Sequence, residues 1–150
     1  MYHVKLTTGM LADGARQGVD GKLYIFGGQW DQLFVGSLPT TQKLAFALVI
    51  KVEYSEALAD HRLVIELQDE DRNDLGANIS AGFRPGHPPM TDVGSAISVP
   101  LAIEPPPVPI NQHGRLVWRI SIDGTEVGEL PMVVRPLPNQ QLPIQAASDP

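Results

Sequence analysis

From Leu44 to Tyr54 every second residue is large and apolar: Leu44, Phe46, Leu48, Ile50, Val52 and Tyr54. A side-chain period of two places all six on one face of a β-strand, whereas a helix would scatter them around its axis. The stretch lies inside residues 40–84, the longest proline-free segment and the place where a helix has most room, and it still reads as strand. The intervening Ala45, Ala47 and Val49 are apolar too. The first half of this strand is therefore expected to be covered on both faces and to lie centrally in the domain.

The same period recurs along the chain. Val4, Leu6, Thr8 and Met10 form one set, Leu23, Ile25 and Gly27 a second, and Leu63, Ile65 and Leu67 a third. Ala77 to Phe83, Ile97 to Ile103, Leu116 to Ile122, and Val127 with Met132 and Val134 complete the series. Turn residues separate the sets, most clearly Asp123-Gly124, which tolerates the positive φ angles of a tight hairpin and should join antiparallel strands. Helix is expected only as a turn or so over Ser55 to Asp60. Glycine and proline number 14 each in 150 residues, and both are costly inside helices. Thirteen of the fourteen prolines follow residue 84, and Pro100 and Pro131 fall inside strand-like runs. Neither can donate to a ladder, so their strands are expected at sheet edges or bulges. The pattern predicts an all-β chain: an antiparallel β-sandwich of about eight strands, Ig-like or jelly-roll-like, over residues 1–135. Residues 136–150 lack periodicity and read as a flexible, extended Pro/Gln-rich tail.

Charge and composition narrow the functional classes. With no cysteine there are no disulfides, thiolate metal sites or cysteine nucleophiles, which fits a reducing compartment. No basic run followed by an apolar stretch opens the chain, and the longest apolar run, Leu44 to Ile50, is too short to span a bilayer. The cytoplasm is the expected location, with no membrane partner. The net charge of −6 is concentrated in residues 53–74, where Glu53, Glu56, Asp60, Glu66, Asp69, Glu70, Asp71 and Asp74 face only Arg62 and Arg72. Such a distribution offers no basic groove to nucleic acid.

Candidate sites are few. Asp69, Asp71 and Asn73 match the first, third and fifth ligand positions of an EF-hand loop. The sixth position is Asp74 instead of glycine, the twelfth is Ser80 instead of glutamate, and the flanks are strands. This loop is a solvated hairpin connection first, and a looser cation site at Asp69, Asp71, Asn73 and Asp74 second. Trp30, Leu33, Phe34 and Val35, after the Gly27-Gly28 pair, offer an apolar contact segment, as do Leu142 and Ile144 in the tail. The four histidines, His3, His61, His87 and His113, show no ligand spacing and read as surface or turn residues. No Gly-x-Ser-x-Gly elbow or phosphate loop is present, and the clustered carboxylates of 53–74 lack the opposed placement glycoside hydrolysis needs.

Leu11-Ala-Asp-Gly14, Gly21-Lys-Leu-Tyr-Ile-Phe-Gly-Gly28 and Gly114-Arg-Leu-Val-Trp-Arg-Ile-Ser-Ile-Asp-Gly124 together resemble a family of small uncharacterised bacterial proteins of the actinobacterial type, known only as a domain of unknown function. The resemblance covers residues 1–135 and implies a β-sandwich, with no catalytic residue to carry over. The expected function is therefore non-catalytic, with no cofactor: a binding or assembly module, homo-oligomeric or an accessory structural protein, whose partners are proteins or further copies of itself. The alternative is a ligand-binding domain for calcium or a small polar molecule such as a sugar, using the 69–74 loop.

Overall fold

The computed structural model describes residues 4–138. The described residues are all-β, with eleven strands: β1 (Val4–Gln17), β2 (Leu23–Trp30), β3 (Gln32–Val35), β4 (Thr40–Gln42), β5 (Ala45–Val52), β6 (His61–Asp69), β7 (Asp74–Phe83), β8 (Ile97–Ile103), β9 (Val108–Ile110), β10 (Gly114–Ile122) and β11 (Thr125–Pro136). They form a four-stranded sheet in the order β2-β1-β5-β8, a five-stranded sheet in the order β3-β11-β10-β6-β7, and a two-stranded ribbon of β4 and β9. The expected count of about eight strands was too low. The three unanticipated strands are only four, three and three residues long, too short to display a period, and β9 carries Pro109 in its middle. Pairing is also not uniformly antiparallel, because β3 runs parallel to the end of β11. The expected helical turn shrinks to a 3-10 turn at Tyr54–Glu56.

Strand β5 lies between β1 and β8, as its double-sided apolar pattern predicts. Phe46, Leu48, Ile50 and Val52 turn one face of β5 to the core and are fully buried. Facing them are Leu63, Ile65 and Leu67 of β6, Trp118, Ile120 and Ile122 of β10, and Met132 and Val134 of β11, all in one cluster. Trp118 meets Phe46 edge to face, with ring centroids 5.0 Å apart at 80°, the geometry that ring quadrupoles favour. The buried indole N–H donates to the Met132 sulfur at 3.4 Å, so the largest core side chain leaves no polar atom unsatisfied. On the opposite face of β5, Ala45 and Ala47 join Ala12 and Ala15 of β1 in a second, small-residue cluster. Beside it, Ala15 N–H donates to Glu104 Oε2 at 3.1 Å, tying the far end of β1 to the residue that follows β8.

The β10–β11 hairpin closes at Asp123 and Gly124, whose φ angles of 52° and 84° are those of the expected tight turn. Pro100 lies on β8, the edge of its sheet. Pro131 pairs with Val117 on one side, and its other side is open because β3 begins pairing only at Val133. Both prolines thus occupy positions where no N–H is needed.

Trp118→Ala and Phe46→Ala are each expected to destabilise the fold by about 3–5 kcal/mol in urea denaturation, with the double variant losing less than the sum because the two rings touch.

Candidate functional site

Each of the two large sheets has two edges, and they differ in how they are protected. β8 carries Pro100, and β3 is four residues long. The residues that β7 exposes are small or polar: Asp74, Gly76, Asn78, Ser80 and Gly82. β2 is different. Its Tyr24, Ile25 and Phe26 are consecutive, apolar and 46%, 37% and 60% exposed, along a strand that, among the described residues, is hydrogen-bonded to β1 alone. Arg16 sits opposite Tyr24, Ala15 opposite Ile25 and Gly14 opposite Phe26. No side chain on β1 covers Phe26, because its partner is a glycine.

Local bonds hold this edge in place. Gly18 N–H donates to the Lys22 carbonyl at 2.9 Å to close the hairpin. Asp20 accepts the Lys22 N–H at 3.0 Å and the Tyr24 hydroxyl at 2.5 Å. The Tyr24 bond first, then the Lys22 bond, holds the Asp20 carboxyl below its ordinary pKa, and the same contact raises that of Tyr24. Beyond Phe26 the strand turns irregular: Gly27 has φ 56° and Gln29 φ 65°, and the ladder shifts register at Leu11 and Ala12. At position 27 the φ of 56° favours glycine, and a Cβ there would point at the Asp13 carboxylate, 2.2 Å from its nearer oxygen. The Asp13 carboxylate therefore lies over β2.

The contact segment read from the sequence is dispersed by the fold. Trp30 and Leu33 are half-buried and pack on the main core, Val35 is buried, and only Phe34 is exposed. For Leu33 to Val35 the cause is the pairing of β3 with β11, which turns alternate residues inward, while Trp30 ends β2 opposite Leu11 of β1. Leu142 and Ile144 lie outside the described residues.

The acidic loop is bound up in itself. Asp69 Oδ1 accepts the N–H groups of Asp71 and Asn73 at 2.8 and 2.9 Å, and Oδ2 accepts the Asn73 amide at 2.9 Å. Asp74 caps the N–H of Gly76 at 2.9 Å. Led by the Asn73 side-chain bond, these contacts lower the Asp69 pKa. Among the described residues no three His, Asp or Glu side chains converge as a metal set.

At the other end of β6, His61 is buried, in contrast to the surface position expected of it. Its Nδ1 lies 2.6 Å from Asp123 Oδ2 and its Nε2 2.7 Å from the Glu56 carbonyl. A carbonyl and an ionised carboxylate only accept, so both ring nitrogens donate and the ring is an imidazolium. Asp123 also accepts the Arg62 N–H at 2.9 Å and returns its own N–H to the Arg62 carbonyl at 2.9 Å. Burial works against the ring's charge, but the Asp123 bond, the Glu56 carbonyl and the charges of both acids outweigh it, and the His61 pKa is raised above 6.5. For Asp123, burial works upward; the His61 bond, the Arg62 bond and the imidazolium charge prevail and lower its pKa below 3.8. With both nitrogens committed, His61 has no lone pair for proton abstraction or metal ligation. It is a clamp joining β6 to the β10–β11 turn, beside an open cleft of ≈ 550 Å³ that Arg62, Phe83 and Arg84 also line. Nearby, His87 stacks on Tyr54 with centroids 3.8 Å apart and donates to the Tyr54 carbonyl at 3.0 Å.

A family of unknown function, DUF6941, matches residues 7–135. The chain belongs to this family. A comparison with curated proteins gave no match. Membership in DUF6941 accounts for the strand-bearing part of the chain and assigns no residue a role.

Sequence reasoning missed Tyr24–Phe26 as a surface feature. The available signal was four consecutive apolar residues, Leu23 to Phe26, where a half-buried strand would alternate with polar ones. For His61 there was no such signal, because its partners lie five residues before it and 62 residues after it.

Two measurements check this geometry in the DUF6941 chain. The stability His61 contributes is complete below pH 6.5 and is lost as pH rises through its raised folded value. That of Asp123 is complete above pH 3.8 and is lost as pH falls through its depressed one. Urea denaturation across pH should therefore show wild-type stability declining on the alkaline side. Asp123→Asn, which keeps the turn, should flatten that decline and cost about 1–2 kcal/mol near pH 6, less than for a fully buried pair because Asp123 is partly solvated. Separately, calcium at roughly a thousandfold the protein concentration should leave the melting temperature unchanged; a rise would show a site in the 69–74 loop.

Proposed function

We propose that the chain is a non-catalytic, sandwich-type assembly module that works by self-association, as a homo-oligomeric or accessory structural protein. The observation that carries this reading is the edge of β2, which is unpaired among the described residues and exposes the consecutive Tyr24, Ile25 and Phe26. An unprotected apolar edge is a template for pairing with another strand, and soluble monomers usually blunt such edges with prolines, charges or brevity. The other three edges of the large sheets have those features or expose only small and polar side chains, whereas β2 has no proline or charge from Leu23 to Phe26 and becomes irregular only beyond it, at Gly27 to Gln29. His61, the most deeply placed ionisable side chain among the described residues, is committed to a structural clamp, which leaves the reading without a competing chemistry there.

Light scattering on the purified chain should give a mass that is an integral multiple of 16.3 kDa. A clean mass of one chain at roughly 100 µM, a concentration that populates even weak assemblies, would contradict self-association.

A further inference from the structure

Two connecting segments at the His61 end of the molecule are tied to each other. They are residues 53–60, between β5 and β6, and residues 84–96, between β7 and β8. Gly86 N–H donates to the Ala57 carbonyl at 2.7 Å. His87 stacks on the Tyr54 ring and donates to the Tyr54 carbonyl. Arg84 Nε lies 3.2 Å from Asp60 Oδ1. Asp60 and Arg84, one from each segment, line the cleft beside His61. We propose that His61 is a proton-operated latch: in the folded chain, loss of its ring proton releases the turn at 54–57, and with it the loop after β7, from the β10–β11 turn. The inference is independent of the assembly reading above.

The geometry sets how the latch works. Nδ1 lies 2.6 Å from Asp123 Oδ2 and Nε2 2.7 Å from the Glu56 carbonyl, so the ring bridges the β10–β11 turn to the 54–57 turn. A neutral imidazole has a single N–H for these two acceptors. The carboxylate, being charged, takes it. The Nε2 lone pair then faces the Glu56 carbonyl oxygen, and an attraction becomes a repulsion. His87 differs, because its bond to Tyr54 needs a single N–H, which a neutral ring supplies. Of the two histidines, His61 alone needs its charge. The groups that face its ring are Asp123 from the β10–β11 turn, Glu56 from the 54–57 turn, and Phe83 of β7, stacked at 5.4 Å between centroids. Asp60 and Arg62 flank it in sequence, and Arg84 pairs with Asp60. Burial opposes the ring's charge, yet the Asp123 bond, the Glu56 carbonyl and the charges of both acids prevail and hold its pKa above 6.5. The latch is therefore closed below pH 6.5 and opens as pH rises through the raised value.

NMR on the full chain tests this directly. The ring resonances of His61 give the pH at which it loses its proton in the folded state. Amide exchange, corrected for the intrinsic rate at each pH, gives the protection of the Gly86 N–H. That protection should be constant while His61 is charged and should fall about tenfold or more across its titration, the loss expected for one charge-assisted hydrogen bond. The Trp118 amide, in the middle of β10, should stay more protected than Gly86 at every pH, because the core remains folded. Asp123→Asn removes the partner charge and should move both the ring titration and the Gly86 transition to lower pH together. The latch is overturned if His61 titrates and Gly86 protection does not change, or if Asp123→Asn shifts the ring alone. It is equally overturned if Gly86 exchanges as slowly as Trp118 throughout, since unfolding of the whole chain would then be the only opening. A ring that titrates at or below pH 6.5, or not at all before the chain unfolds, removes its premise.

Discussion

The contact between Trp118 and Phe46 is the interaction on which the rest of this fold depends. It joins the middle strand of the five-stranded sheet to an inner strand of the four-stranded one, and both rings are fully buried. Each flanking strand is then aligned by ladder bonds to one of these two: β1 and β8 to β5, β6 and β11 to β10. Large side chains face inward and alanines face outward along the start of β5, so one sheet can serve a thick core on one side and a thin one on the other. Burying each large core side chain contributes roughly 1.5–3 kcal/mol, and the order of the two sheets follows from that gain.

The edges are where this order ends, and their chemistry separates structure from function. Three edges carry features that discourage further pairing or expose only small and polar side chains. β2 instead presents Tyr24, Ile25 and Phe26, the tyrosine pinned by Asp20. The imidazolium of His61 performs the opposite task at the far end of β6. It spends both donors on acceptors within the same chain, so a histidine that reads in the sequence as a surface or turn residue is a buried structural one. The acidic loop does likewise, turning Asp69 inward on its own backbone.

Much of the architecture was legible because side-chain period survives in the sequence. The alternation at Leu44–Tyr54 correctly identified β5 as an inner strand covered on both faces along its first half, and Asp123-Gly124 correctly identified the hairpin. Strands β3, β4 and β9 were not legible, because three or four residues carry no period and their pairing is set by neighbours distant in sequence. The same limit explains Trp30 to Val35. The residue types were those of a contact surface, but pairing with β1 at Trp30 and with β11 from Gln32 to Val35 decided which of them face water. For Tyr24 to Phe26, the excess of apolar residues was visible, and what was missing was the knowledge that β2 has one neighbour instead of two. His61 was illegible for a related reason: its carboxylate partner is 62 residues away.

The central claim is that the edge of β2 is occupied by a second copy of the chain in solution. Amide hydrogen exchange over Leu23 to Phe26, followed as protein concentration is raised, tests it most directly. Pairing would give acceptors to the alternate amides of this stretch that point away from β1, so their protection should grow with concentration while β5 stays constant. Exchange in β2 that is independent of concentration would contradict the account.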